Sequence, residues 1–176
     1  YAATLSAVGL KYGLVIGLSG DGDSNADTTL RSVANTLQRY GLTVSPDDVK
    51  AKNVAVMYVN NDFGKGGRDA ITKALTDAGV KVVADISTDS GQVDFSAPVL
   101  KAKGSNADAL FVYTNEEESA RALRELRKQG YDKPIVGETV LTSQKVIELA
   151  GDAANGAVAQ VGLTAHAPQA AIKTFN

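Results

Sequence analysis

The sequence predicts a three-layer α/β sandwich on a mainly parallel sheet, and three observations carry that reading. Apolar segments of strand length recur at Leu14–Leu18, Val54–Val59, Val80–Ile86, Ala109–Tyr113, Pro134–Val136 and Ala157–Leu163. Amphipathic stretches at about 28–40, 66–78, 94–103, 116–129 and 142–150 alternate with them. The run Val54-Ala55-Val56-Met57-Tyr58-Val59 is apolar on both alternating faces, as a strand covered on two sides must be. Strand and helix in alternation give βαβ units, and therefore parallel strands with helices laid on the sheet.

Each element has its own local signature. Leu14–Leu18 runs into a polar, glycine-bearing loop, Ser19 to Asp27. The stretch TTLRSVANTLQRYG reads either as one helix or as a short strand, Thr28–Val33, entering a helix. Thr43 to Asp48 is a loop by composition, with Ser45 or Asp47 able to cap a short turn. After Val59 comes a polar turn with glycines, Asn60 to Gly67. Ala70, Ile71, Ala74, Leu75 and Ala78 then recur at helical spacing until Gly79 stops the helix. Glu116, Glu117 and Glu118 open a later helix, and Arg124, Arg127 and Lys128 close it, an order that suits the helix dipole and reads as a solvated face. No repeat or low-complexity linker divides the chain, so residues 1–176 read as a single α/β lobe.

Composition removes several function classes. The 176 residues are 44% hydrophobic and 22% charged, with net charge −2, ordinary for one globular domain with a sizeable core. Mixed charge without a basic cluster argues against a nucleic-acid surface. There is no cysteine, which excludes disulfides and thiolate chemistry, and one histidine, His166, which excludes a multi-histidine metal site. No apolar run approaches the roughly 18 residues of a membrane span, so membrane insertion is not expected. The first residues, YAATLSAVGLKYG, lack the charged and apolar regions of a signal peptide. No G-x-S-x-G elbow or P-loop is present, since SGDGDS lacks the G-K-[ST] ending, and the expectation is a non-enzyme without cofactor.

The order of motifs resembles the type I periplasmic solute-binding proteins, in their leucine/isoleucine/valine and amide receptor branch. VAVMYVNNDFGKGG, VDFSAPVLKAKGSNADALFVYT and GYDKPIVGETVLTSQKVIELAGDAANGAV look like successive pieces of the family's second lobe. Residues 34–176 resemble that lobe, and residues 1–33 resemble the end of the first lobe and its crossover. The resemblance implies a flavodoxin-like sandwich that is one lobe of a type I periplasmic binding fold. It implies non-catalytic binding of a small amino-acid-like or amide-like solute, a periplasmic or extracytoplasmic location, and delivery to an ABC permease.

It also implies a set of ligand contacts. Ser19 matches the first-lobe loop that receives a carboxylate, where a hydroxyl and backbone N–H groups are the donors an anion needs. Asp62 and Phe63 stand where the family sets an aromatic against the ligand. Tyr113 and Thr114 match a position lining the cleft, and Glu138 matches the carboxylate that faces an ammonium group. Each has a plainer alternative: Ser19 as a polar loop residue, Phe63 as an apolar staple in the core, Glu138 as an exposed loop glutamate. One departure is clear. The family's crossover carries an aspartate where this chain offers Asn35 or Thr36, which argues against ordinary α-amino-acid recognition and leaves amides, small polyols or a lost ligand.

Two other readings remain. Strand, Gly/Ser-rich loop and helix across LVIGLSGDGDSNADTTLRSV resemble a flavodoxin phosphate loop that would hold FMN. Asp21, Asp23 and Asp27 oppose it by placing carboxylates where the phosphate would sit. The chain also fits an isolated or engineered lobe that folds without binding, with an exposed cleft face able to form a homodimer.

Overall fold

The computed structural model describes residues 51–159. Among these residues five strands form one sheet: β1 (Asn53–Val59), β2 (Lys81–Thr88), β3 (Ala109–Tyr113), β4 (Ile135–Gly137) and β5 (Val158–Ala159). Their order is β2-β1-β3-β4-β5 and every pairing is parallel. Four α-helices connect them: α1 (Asp62–Asp77), α2 (Ser96–Gly104), α3 (Glu116–Lys128) and α4 (Gln144–Ala150), with short 3-10 turns on either side of α4.

Two apolar clusters show why the sheet is a middle layer. Val54 and Val56 of β1 pack with Ile71 and Leu75 of α1 and with Ala109 and Phe111 of β3. Ala55 and Met57 point the other way, into a larger cluster with Phe95, Val99, Leu123, Leu126, Ile135 and Val146. Helix α1 therefore covers one face, and α2, α3 and α4 cover the other. The alternation that makes Val54–Val59 apolar on both sides is the sequence trace of this arrangement, and the flavodoxin-like fold class holds for the described residues.

Because β2 and β3 lie on opposite sides of β1, the chain reverses direction between β1 and β3. In an open parallel sheet the connections splay apart there and leave a crevice at the carboxyl ends of the strands. The far end of the sheet is closed by Asp108, whose carboxylate accepts the backbone N–H groups of Lys52 at 2.9 Å and Asn53 at 2.8 Å. The acidic residue of the Ala-Asp-Ala motif thus ties β1 to β3 at the end away from the crevice.

Three elements depart from the sequence reading. Helix α1 begins at Asp62 rather than near residue 66, so the glycines read as a turn occupy its first two turns. The Glu116–Glu118 run is not wholly solvated: Glu118 is 4% exposed and turned inward. The helix expected at 142–150 is shorter: a 3-10 turn, Thr139–Thr142, precedes the helix α4, which Ser143 caps by accepting the N–H of Val146. The strands and helix expected before residue 51, and the part of the last strand beyond Ala159, lie outside the described residues.

Candidate ligand-binding site

The crevice at the β1/β3 switch point is built from the loops after β1, β3 and β4. On the β1 side, Asn61 caps α1, its side-chain oxygen accepting the N–H of Gly64 at 2.8 Å. The cap starts the helix one residue later and places Asp62 and Phe63, both exposed, in its first turn. Phe63 is 43% exposed, so it is not an apolar staple in the core. Its ring lies against Tyr113, the last residue of β3, with centroids 4.6 Å apart and planes tilted by 33°. That is favourable aromatic pair geometry, and it joins the β1 and β3 sides of the crevice.

Tyr113 is half-buried, and its phenol is pushed above the ordinary tyrosine range, first by burial and then by the negative charge of Glu138. Glu138 follows β4 and caps the 3-10 turn after it, accepting the N–H of Val140 at 2.9 Å through Oε1. No partner for its other oxygen is found among the described residues. Phe63, Tyr113 and Glu138 are therefore brought to one end of the sheet, an aromatic wall with a carboxylate at its edge.

The remaining expected residues fall differently. Thr114 is 1% exposed and shares a 2.8 Å hydrogen bond with the hydroxyl of Ser119, so it presents almost no surface to a solute. Asp62 is exposed in the first turn of α1, and no contact joins it to Tyr113 or Glu138 among the described residues. Ser19 and the loop from Ser19 to Asp27, with the FMN reading that depends on it, lie outside the described residues. Sequence reasoning did not single out Asn61 or Ser90, although the Asn61 amide reaches the Ser90 hydroxyl at 3.4 Å and links the loops after β1 and β2. An asparagine directly before a helix start was the available signal.

A separate open depression of about 620 Å³ lies over α3, lined by Val93, Asp94, Phe95, Arg121, Arg124 and Lys128 among others. Arg121 is ion-paired to Glu117 and Lys128 to Glu125, so two of its three basic side chains are already paired. Among the described residues there is no group of three or more metal-ligating side chains, and no helix long and apolar enough to cross a membrane.

The profile of the periplasmic binding protein family matches residues 4–176. The chain belongs to that family. A type 1 periplasmic binding protein from Bordetella pertussis superposes on it with a TM-score of 0.65 at 21% identity, over 83% of this chain and 36% of the other. A leucine-, isoleucine-, valine-, threonine- and alanine-binding protein from Pseudomonas aeruginosa is 27% identical over 110 residues, 62% of this chain and 30% of that protein. A flagellar P-ring protein from Geobacter sulfurreducens is 44% identical over 73 residues, 38% of this chain and 20% of that protein. Nothing in the motif pattern pointed to this last likeness. In each case the matching region is well under half of the relative's length. The type I family is one of solute binding rather than catalysis, and its members are periplasmic.

Proposed function

We propose that the chain binds a small polar solute, amino-acid-like or amide-like, in the switch-point crevice, as part of an extracytoplasmic solute-binding protein serving an ABC permease. The observation that carries the reading is the half-exposed Phe63–Tyr113 pair beside Glu138 at the carboxyl end of the sheet. Aromatic rings there offer contact area to an apolar side chain, and the adjacent carboxylate offers a partner for an ammonium or amide N–H. The amino-acid ligands named for the Pseudomonas aeruginosa relative support this choice of solute class. The P-ring likeness covers 20% of that protein and carries no function here.

Calorimetric titration with leucine, alanine and small amides tests the reading. Saturable binding that weakens in Glu138→Gln and Phe63→Ala supports it. Heats that are flat for every solute contradict it. A second reading, a lobe that folds without binding and self-associates through its cleft face, draws on the exposure of Phe63. Light scattering at high micromolar concentration separates the two, since a monomeric mass removes the homodimer.

A further inference from the structure

The three glycines in the first turns of α1 do different work. At Gly64 an added Cβ would lie 1.8 Å from the carbonyl oxygen of Val59, a backbone atom that has no way to yield. At Gly66 it would meet nothing within 4 Å. At Gly67 it would lie 2.2 Å from Cε1 and Cζ of Tyr113 and 2.6 Å from Cδ1, all atoms of one side chain. The Tyr113 ring is thus in contact with the bare backbone of Gly67 as well as with the Phe63 ring at 4.6 Å.

We infer that Gly67 is a specificity-determining residue: by carrying no side chain it lets Tyr113 lie back against α1, and so sets how much of the crevice is open to a solute. The inference rests on the solute-binding reading of the same crevice. Any side chain at 67 evicts the ring. Phe63 stands against it and β3 anchors its backbone, so the ring is displaced by side-chain rotation and takes volume from the crevice. The unchanged chain is then matched to solutes with branched or long side chains, and a variant with a filled position 67 to smaller ones.

The test compares Gly67→Ala with the control Gly66→Ala, reading leucine and alanine binding by calorimetry and the Tyr113 phenol by ultraviolet titration against a Tyr113→Phe blank. In Gly67→Ala the leucine-to-alanine affinity ratio should fall at least tenfold, and the raised phenol titration should move down toward the ordinary tyrosine value as the ring leaves its seat. Gly66→Ala should change neither. Adding Tyr113→Leu to Gly67→Ala removes the overlap and should restore folding if Gly67→Ala alone does not fold. An unchanged ratio and titration in a folded Gly67→Ala, or a fold that Tyr113→Leu does not rescue, overturns the role of Gly67. Failure of the unchanged chain to bind leucine, alanine and the small amides alike overturns the solute-binding reading itself, whatever the phenol shows, while the phenol titration still decides the role of Gly67.

Discussion

The Glu118 carboxylate accepts the backbone N–H of Gly91 at 2.6 Å, joining the buried side of α3 to the loop that follows β2. The same oxygen accepts the Asn115 amide at 3.1 Å. Burial pushes this carboxyl up, but the N–H groups of Gly91 and of Glu118 itself, the Asn115 amide and the Arg121 charge outweigh it and hold it below its usual value. The loop in turn carries Ser90, which meets the Asn61 cap at the crevice.

A pH dependence follows from Glu118. Its folded value is depressed, so its contribution is present above the unfolded value of about 4.3 and is lost as pH falls through the folded one. Asp94 and Glu125 are also lowered and act with the same sign. Urea melts between pH 7 and 3 should show stability falling with acid below that value. In Glu118→Gln the acid slope should be shallower and stability at pH 7 lower by about 1–3 kcal/mol, the cost of weakening a charged hydrogen-bond acceptor. An unchanged slope would remove Glu118 from the balance.

Asn61→Ala should cost about 0.5–2 kcal/mol through loss of the α1 cap, while Asn61→Asp, which keeps an oxygen for the Gly64 N–H, should stay closer to the original. Denaturant midpoints give the comparison. Equal losses in the two variants would mean that the Ser90 contact, not the cap, matters.

Gly64→Ala and Gly66→Ala should differ in sign. A Cβ at Gly64 meets the Val59 carbonyl at 1.8 Å, and backbone displacement there should cost about 3 kcal/mol or more, at the severe end of single substitutions. Gly66 faces open space within the helix, so alanine should stabilise by up to about 1 kcal/mol. Thermal melts of the pair settle it, and equal effects would contradict the close approach of α1 to β1.

Phe63→Ala separates site from core. With 43% of its surface exposed, Phe63 should cost less than about 1.5 kcal/mol of stability when truncated, well below the roughly 3–5 kcal/mol of a buried phenylalanine. Solute binding should weaken much more than stability. Severe destabilisation instead would make the ring a structural element.

The parallel sheet was legible because its inner strands are buried on two faces and so write continuous apolar runs, as in Val54–Val59 and Ala109–Val112. The start of α1 was not. Glycine is a poor helix former, so Gly64, Gly66 and Gly67 read as a turn, whereas tertiary packing against Val59 and Tyr113 selects two of them inside the helix. The inward turn of Glu118 was hidden for a similar reason, since its reward is a backbone N–H 27 residues away in sequence. At the site, Phe63 and Glu138 were singled out through the family resemblance alone, and their placement with Tyr113 depends on strand order, which periodicity does not encode. Thr114 shows the limit: the resemblance matches it to a cleft-lining position, yet it is buried and its hydroxyl is held by Ser119.

The most direct test is a thermal-shift screen of this chain against leucine, alanine, small amides, polyols and FMN at millimolar concentration, with Phe63→Ala and Glu138→Gln alongside. A ligand bound only by the folded state raises Tm, so a selective rise with an amino acid or amide, reduced in both variants, is the expected result. No rise with any of these solutes, a rise with FMN alone, or a rise that the two variants leave intact would contradict solute binding in the switch-point crevice.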